Sequence, residues 1–211
     1  MKKNSTFAKT ILPNLFESLA AVYGNETGIK IFNAAKSILA GELAEVNDRG
    51  NKIIGRHLRR NILPGYACYR AMLDAGISSS EAVEFVRDEL CRSVEPRARF
   101  YKKLGSKSYI FGIIRILARP VLKYGFPRQG WTIVMLENNK ERVRFDMTSC
   151  LYLEELHKRG ASELCPAFCF TDEVIYKPLA PAVVFKRKDT LAQKGTRCDY
   201  CFEKGIGKKR G

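Results

Sequence analysis

The sequence predicts an α+β fold: a helical N-terminal part followed by a small antiparallel sheet with packed helices. Three observations carry this. Apolar residues recur every three to four positions through the first half of the chain, as on one face of a helix. Just after Gly130 the period falls to two, in WTIVMLE (131–137) and RVRFDMT (142–148). Two more strand-like runs, AVVFKRK (182–188) and RCDYCFE (197–203), follow a further helical stretch.

In order along the chain, Phe7, Ile11, Leu15, Leu19 and Val22 fall at helical spacing, with Pro13 marking a kink or a late start and Gly24 a stop. A second helix is expected from Glu26 to about Leu43, with Ile29, Phe32, Ala35, Ile38 and Leu39 on one side. Residues 47–51 (NDRGN) read as a loop. A helix from about Pro64 to Ala75 ends at Gly76. Ser78 and Glu81 fit a capping box opening a helix that turns Ala82, Phe85, Val86 and Leu90 inward. Pro96 is expected to interrupt it. Residues 108–124 read as helical as far as Arg119, with Pro120 ending or bending the helix, because an internal proline loses a hydrogen bond and clashes with the preceding turn.

The first two strands form a hairpin around a polar ENNKE turn. Val143, Phe145 and Met147 alternate with polar neighbours, which gives the sheet one wet face. Leu151–His157 is a short helix closed by Gly160, and Ser162 to about Lys177 another with Pro166 in its first turn. A loop containing Gly195 joins the last two strands. The expected division is a mainly helical part (1–129), a sheet with helices (130–204) and a basic disordered tail (205–211), together one compact unit.

The chain has 211 residues and a formal charge of +15, with pI near 9.6. This balance favours anionic partners: nucleic acid, an acidic membrane surface, or a small carboxylate or phosphate. The excess is spread over GRHLRR (55–60), RARFYKK (97–103) and KKR (208–210) rather than gathered on one helix, which argues against a nucleic-acid face. The most apolar run, 109–122, is too short for a membrane span and carries Arg115 and Arg119. The N-terminus lacks an uninterrupted apolar stretch of the secretory type, so a cytoplasmic location with reduced thiols is expected.

Five of the seven cysteines fall between Phe145 and Glu203: Cys150, Cys165, Cys169, Cys198 and Cys201. Two readings compete with burial as small hydrophobes. A four-cysteine zinc site would use Cys165/Cys169 and Cys198/Cys201. Against it, CDYCFE lacks the tight turn of a zinc knuckle, and on a strand Cys198 and Cys201 point to opposite faces. No metal and no cofactor are expected. The other reading is thiolate catalysis by Cys150, at a strand-to-helix junction, by Cys198, beside Asp199, or by Cys169, one helical turn before Asp172. His57 and His157 suggest no Cys-His pair, although His157 is close in sequence to Cys150. Asp172, Asp199 and Arg187 read equally as surface charges, and the 189–197 loop as a plain turn or an anion cradle.

The order of motifs is more informative than any one residue. FDMTSC (145–150), a Tyr-Leu-x-Glu-Leu helix, E-L-x-P-x-x-C-x-x-D (163–172) and R-x-x-T-L-A-x-x-G-x-x-C-D (187–199) resemble the L-2-amino-thiazoline-4-carboxylic acid hydrolase family. The resemblance is strongest over 130–203. It rests on Cys150, Glu163, Pro166, Cys169, Asp172, Arg187, Thr190, Gly195, Cys198 and Asp199, and leaves out Cys165 and Cys201. It implies a hydrolase that opens a C–N bond in a small cyclic amidine-like carboxylate and yields a carbamoyl-cysteine. The roles expected on these positions are a nucleophilic thiol at Cys150 or Cys198, with Cys169 a third candidate, and a general base at Asp172 or Asp199. Arg187 would hold the substrate carboxylate, and Thr190 and Gly195 would line the pocket. The partner is then a small anionic ligand. The alternative is a non-enzymatic ligand-binding or sensor domain on the same fold.

Overall fold

The computed structural model describes residues 6–206, so residues 207–211 of the predicted tail lie outside the described residues. The fold is α+β, with four antiparallel strands among helices. The chain forms two compact units. Among the described residues, one comprises 6–93 and 155–168, the other 94–154 and 169–206.

The first unit is helical. Its longest element, α1 (Leu15–Ala44), is two helices in sequence, because Gly24 takes a left-handed φ of 78° that an L side chain rarely adopts. The chain doubles back there so sharply that a Cβ on Gly28 would lie 2.8 Å from the Ala20 nitrogen. The expected stop at Gly24 is observed. The helix starts at Leu15, the late start that Pro13 offered; the preceding residues are turns that still bury Phe7 and Leu12.

In the 47–51 loop, Asn47 and Asp48 side chains accept the Arg49 and Gly50 amides at 2.9 and 3.1 Å. Asn51 then caps α2 (Lys52–His57), accepting from Ile53 and Ile54. A π-turn (Leu58–Ile62) leads into α3 (Leu63–Asp74). Pro64 has no N–H to give the Arg60 carbonyl, and the Ile11 amide takes that carbonyl instead, at 2.8 Å. The predicted cap is present before α4 (Ser79–Leu104): the Ser78 hydroxyl accepts the Glu81 amide. Ala82, Phe85, Val86 and Leu90 are buried as expected.

Two proline expectations are corrected. Pro96 lies inside α4, and Pro120 inside α5 (Ile110–Gly125), without ending either helix. Each proline and the residue four positions before it are exposed, so water can take the freed carbonyl.

The second unit holds the sheet. β1 (Trp131–Asn138), β2 (Arg142–Cys150), β3 (Val183–Lys186) and β4 (Cys198–Lys204) lie in the order β1-β2-β4-β3, all antiparallel. Asn139 shapes the hairpin turn by accepting the Glu141 and Arg142 amides at 2.9 and 2.8 Å. Val143, Phe145 and Met147 face the core in the predicted alternation. Phe145 stacks on Tyr200 at 4.9 Å, and Phe202 meets the Tyr176 ring edge-on. α6 (Leu151–Lys158) follows β2 directly, and Pro166 sits in the first turn of α7 (Cys165–Tyr176).

Gly28 gives a test of the α1 turn. Gly28→Val is expected to force the two arms apart and cost about 1–3 kcal/mol. This would be read as a lower urea midpoint with an unchanged slope.

Candidate active site

The site forms in the second unit where β2, β4, residues 169–176 of α7 and the loop after β3 meet. Cys150 is the last residue of β2 and immediately precedes α6. Its sulfur receives hydrogen bonds from the Leu153 and Tyr152 amides at the start of α6, and from Trp131, its partner in the strand register. Burial nevertheless dominates, pushing the thiol up to about 11. Cys198 opens β4 opposite Met147 and accepts the Leu191 amide at 3.3 Å. It too is buried and pushed up to about 12. A charge on Cys169 would raise both, and one on Cys150 would raise Cys198, so the three motif thiols lie within electrostatic reach of one another.

Beside them lies a buried cation. Arg187 is 5 % exposed at its side chain. Its Nη1 donates to Asp172 Oδ2 at 2.8 Å and to the Tyr200 hydroxyl at 3.3 Å, and its Nη2 to the Cys169 carbonyl at 2.8 Å. Glu173 stands 3.4 Å from the same guanidinium, and the Tyr200 ring lies 5.3 Å beneath it. Burial works against the charge of Arg187, but Tyr200, Asp172 and Cys169 outweigh it and raise its pKa. Tyr200 also donates to Asp172 Oδ2, at 2.7 Å. Both of these donors reach Oδ2; Oδ1 accepts none of them. Crowding by protein raises Asp172 above the ordinary carboxylate range, although Arg187 and Tyr200 pull it down and 26 % of its side chain remains exposed. The guanidinium and the phenol at these distances favour the ionised carboxylate and oppose that rise.

The remaining motif residues shape the loop after β3. Asp199 Oδ1 accepts the Lys188 and Asp189 amides at 2.9 and 2.7 Å. Arg197 pairs with Asp146 at 3.1 Å. Thr190 is buried and donates to the Gln193 side chain at 3.1 Å. A Cβ on Gly195 would meet the Asp189 carboxylate, which would have to turn aside to admit it.

The structure thus groups Cys169, Cys198, Asp172 and Arg187, with Cys150 beside the other two thiols, and puts Thr190 and Gly195 in the adjoining loop, which Asp199 binds from β4. Cys165 is buried in the first unit, as are Cys68 and, partly, Cys91. Cys201 is half-buried beside Glu203. Among the described residues no group of three or more His, Cys, Asp and Glu could hold a metal ion. His157 belongs to the first unit, 3.1 Å from the Ser162 hydroxyl. Tyr200 and Trp131 were not singled out from the sequence. Tyr200 shares the inward alternation of Cys198 and Phe202, and Trp131 is the chain's one tryptophan, so each carried a signal that only the register makes specific.

The fold and the site together define an α+β protein with a thiol cluster beside a buried guanidinium–carboxylate pair. The family model for L-2-amino-thiazoline-4-carboxylic acid hydrolase matches residues 55–202, more than two-thirds of the chain, and the chain belongs to that family. Searches of curated proteins and of solved structures gave no match. Among the described residues no helix is long and apolar enough to cross a membrane.

The raised thiols make a pH prediction. Folding lifts Cys150 and Cys198 from about 9 to about 11 and 12, so the folded form holds these protons longer than the unfolded one. Their contribution to stability is complete below the unfolded value and is lost as pH rises through the folded values. Iodoacetamide at neutral pH is expected to modify both slowly, with rates climbing steeply toward pH 11, as peptide mass mapping would show.

Proposed function

We propose that the protein is a hydrolase that opens the ring of a small cyclic amidine carrying a carboxylate, of the 2-amino-thiazoline-4-carboxylate type. The observation that supports this reading most is the gathering of Cys150, Cys169 and Cys198 around the Arg187–Asp172 pair, in a chain of this family.

On this reading Cys150 is the nucleophile. Its sulfur faces two backbone amides and Trp131, donors that strengthen as negative charge develops. The thiol rests protonated, so its proton passes to the ring nitrogen while sulfur bonds to the ring carbon between nitrogen and sulfur. Collapse with cleavage of the ring C–N bond frees the amine and leaves the carbon, still carrying its exocyclic nitrogen, bonded to both Cys150 and the substrate sulfur as an imidodithiocarbonate. Water then attacks that carbon, Cys150 leaves, and an S-carbamoyl product forms. Cleavage of the C–S bond instead would give the N-carbamoyl isomer, so product analysis identifies the bond broken. Asp172 activates this water through Oδ1, its Oδ2 being held by Arg187 and Tyr200. Arg187 then serves first to hold Asp172, and it can take the substrate carboxylate only by sharing N–H groups now given to Asp172 and Cys169. Cys198 and the Thr190–Gly195 loop line the pocket, and Asp199 fixes that loop.

A second reading has its own support. Two thiols rest neutral and the main cation is already paired, as suits a ligand-binding domain without turnover.

The test is ring opening of 2-amino-thiazoline-4-carboxylate by the purified protein, followed by mass spectrometry. Cys150→Ser is expected to abolish turnover, and Cys169→Ser and Cys198→Ser to reduce it. Activity that survives all three single replacements removes the thiol mechanism. Asp172→Asn is expected to lower kcat by about 10²–10⁴-fold. In the parent protein kcat should fall on the acid side at a pH above the ordinary carboxylate range, because the raised carboxyl must be ionised to act. Absence of turnover together with saturable binding of the same compound selects the binding-domain reading.

A further inference from the structure

α5 joins two properties that neither the sheet nor the proposed chemistry uses. Ile110 and Phe111 are buried and seat the helix in its unit. Yet Ile113, Ile116, Leu117, Val121 and Tyr124 are exposed, Ile116 and Tyr124 each at 68 %. Their spacing places them on one side of the helix, continued by exposed Tyr109 just before it. Arg115, Arg119 and Lys123 recur every four residues and form a cationic stripe along the same helix. None of the three makes an ion pair among the described residues. The charge continues beyond the helix: from Pro96 to Leu136 there are nine lysines and arginines and no aspartate or glutamate.

We propose that α5 docks on an anionic lipid bilayer surface, lying flat with its exposed apolar side at the acyl boundary and its basic stripe against the headgroups. Charge complementarity selects this occupant. A second copy of a +15 chain would bring two cationic stripes together, which opposes self-association through this face. A nucleic-acid backbone would satisfy the arginines but leave the apolar side uncovered. With 16 residues, the helix is too short to span and suits an interfacial position.

The experiment is flotation of the full chain with vesicles of phosphatidylcholine alone or mixed with phosphatidylserine, at low and high salt. Binding to the mixed vesicles is expected to be strong at low salt, weakened by salt, and absent or slight on phosphatidylcholine. Arg119→Gln and Lys123→Gln should each lower partitioning about fivefold. Ile116→Asp, at a site too exposed to disturb the core, should lower it at least about tenfold with an unchanged circular dichroism spectrum and urea midpoint. Equal or no binding to the two vesicle types, or binding indifferent to Ile116→Asp, overturns the proposal. So does a dimer in sedimentation that Ile116→Asp dissociates without any vesicle binding, or a duplex DNA complex lost on Arg119→Gln in a protein that ignores vesicles. None of these results depends on ring-opening activity.

Discussion

The second unit is organised around keeping one guanidinium charged where little water reaches it. A buried arginine is costly unless its donors are met and its charge is opposed. Arg187 meets this condition by reaching two elements from the end of a third: Asp172, Glu173 and, one turn earlier, the carbonyl of Cys169 on α7, and Tyr200 on β4. The end of β3, the middle of α7 and the centre of β4 are thereby fixed to one another. Tyr200 passes the constraint on, since its hydroxyl is held by Asp172 while its ring stacks flat on Phe145 of β2. Removing Arg187 or Asp172 alone would strand the other, so each is architectural whatever chemistry it also performs.

The loop that follows is shaped by the same economy of donors and acceptors. Asp199 gathers the Lys188 and Asp189 amides, and Asp189 in turn occupies the space where Gly195 has no side chain. Gly195 gives its amide to the Thr190 carbonyl, and the Leu191 amide reaches the Cys198 sulfur. The residues at motif positions between Arg187 and Asp199 thus act on one another across the loop. A sequence motif with these gaps records a folded loop as much as a reaction centre.

This explains what could be read in advance. Hydrophobic period gave the helices and the alternation of Val143, Phe145 and Met147, because burial on one face imposes it directly. Gly24 and Ser78 could be read because their conformational and hydrogen-bonding roles are local. The prolines misled because their effect depends on surroundings: at exposed Pro96 and Pro120 water can stand in for the lost bond, and at Pro64 the distant Ile11 amide does so. In the site, the motif order pointed to Cys150, Cys169 and Cys198. It did not reveal that Arg187 is spoken for by Asp172, or that Trp131 lies opposite Cys150, since strand register and helix placement decide both.

The thiols pose the sharper chemical question. Burial and donor contacts oppose each other at Cys150, and burial wins, so the resting sulfur is neutral. The largest influences on it are burial, N–H donors and another thiol. An amidine brings a base of its own: its ring nitrogen is basic and lies one bond from the carbon to be attacked. Proton transfer and carbon–sulfur bond formation can then proceed together, with the α6 amides and Trp131 stabilising charge only while it exists. Such a site would stay inert toward ordinary electrophiles and oxidants, whose attack requires a thiolate already formed. It would respond to a substrate that brings its own base. A neutral, buried thiol is therefore compatible with catalysis for this class of ligand, where it would argue against catalysis on an ester or a peptide.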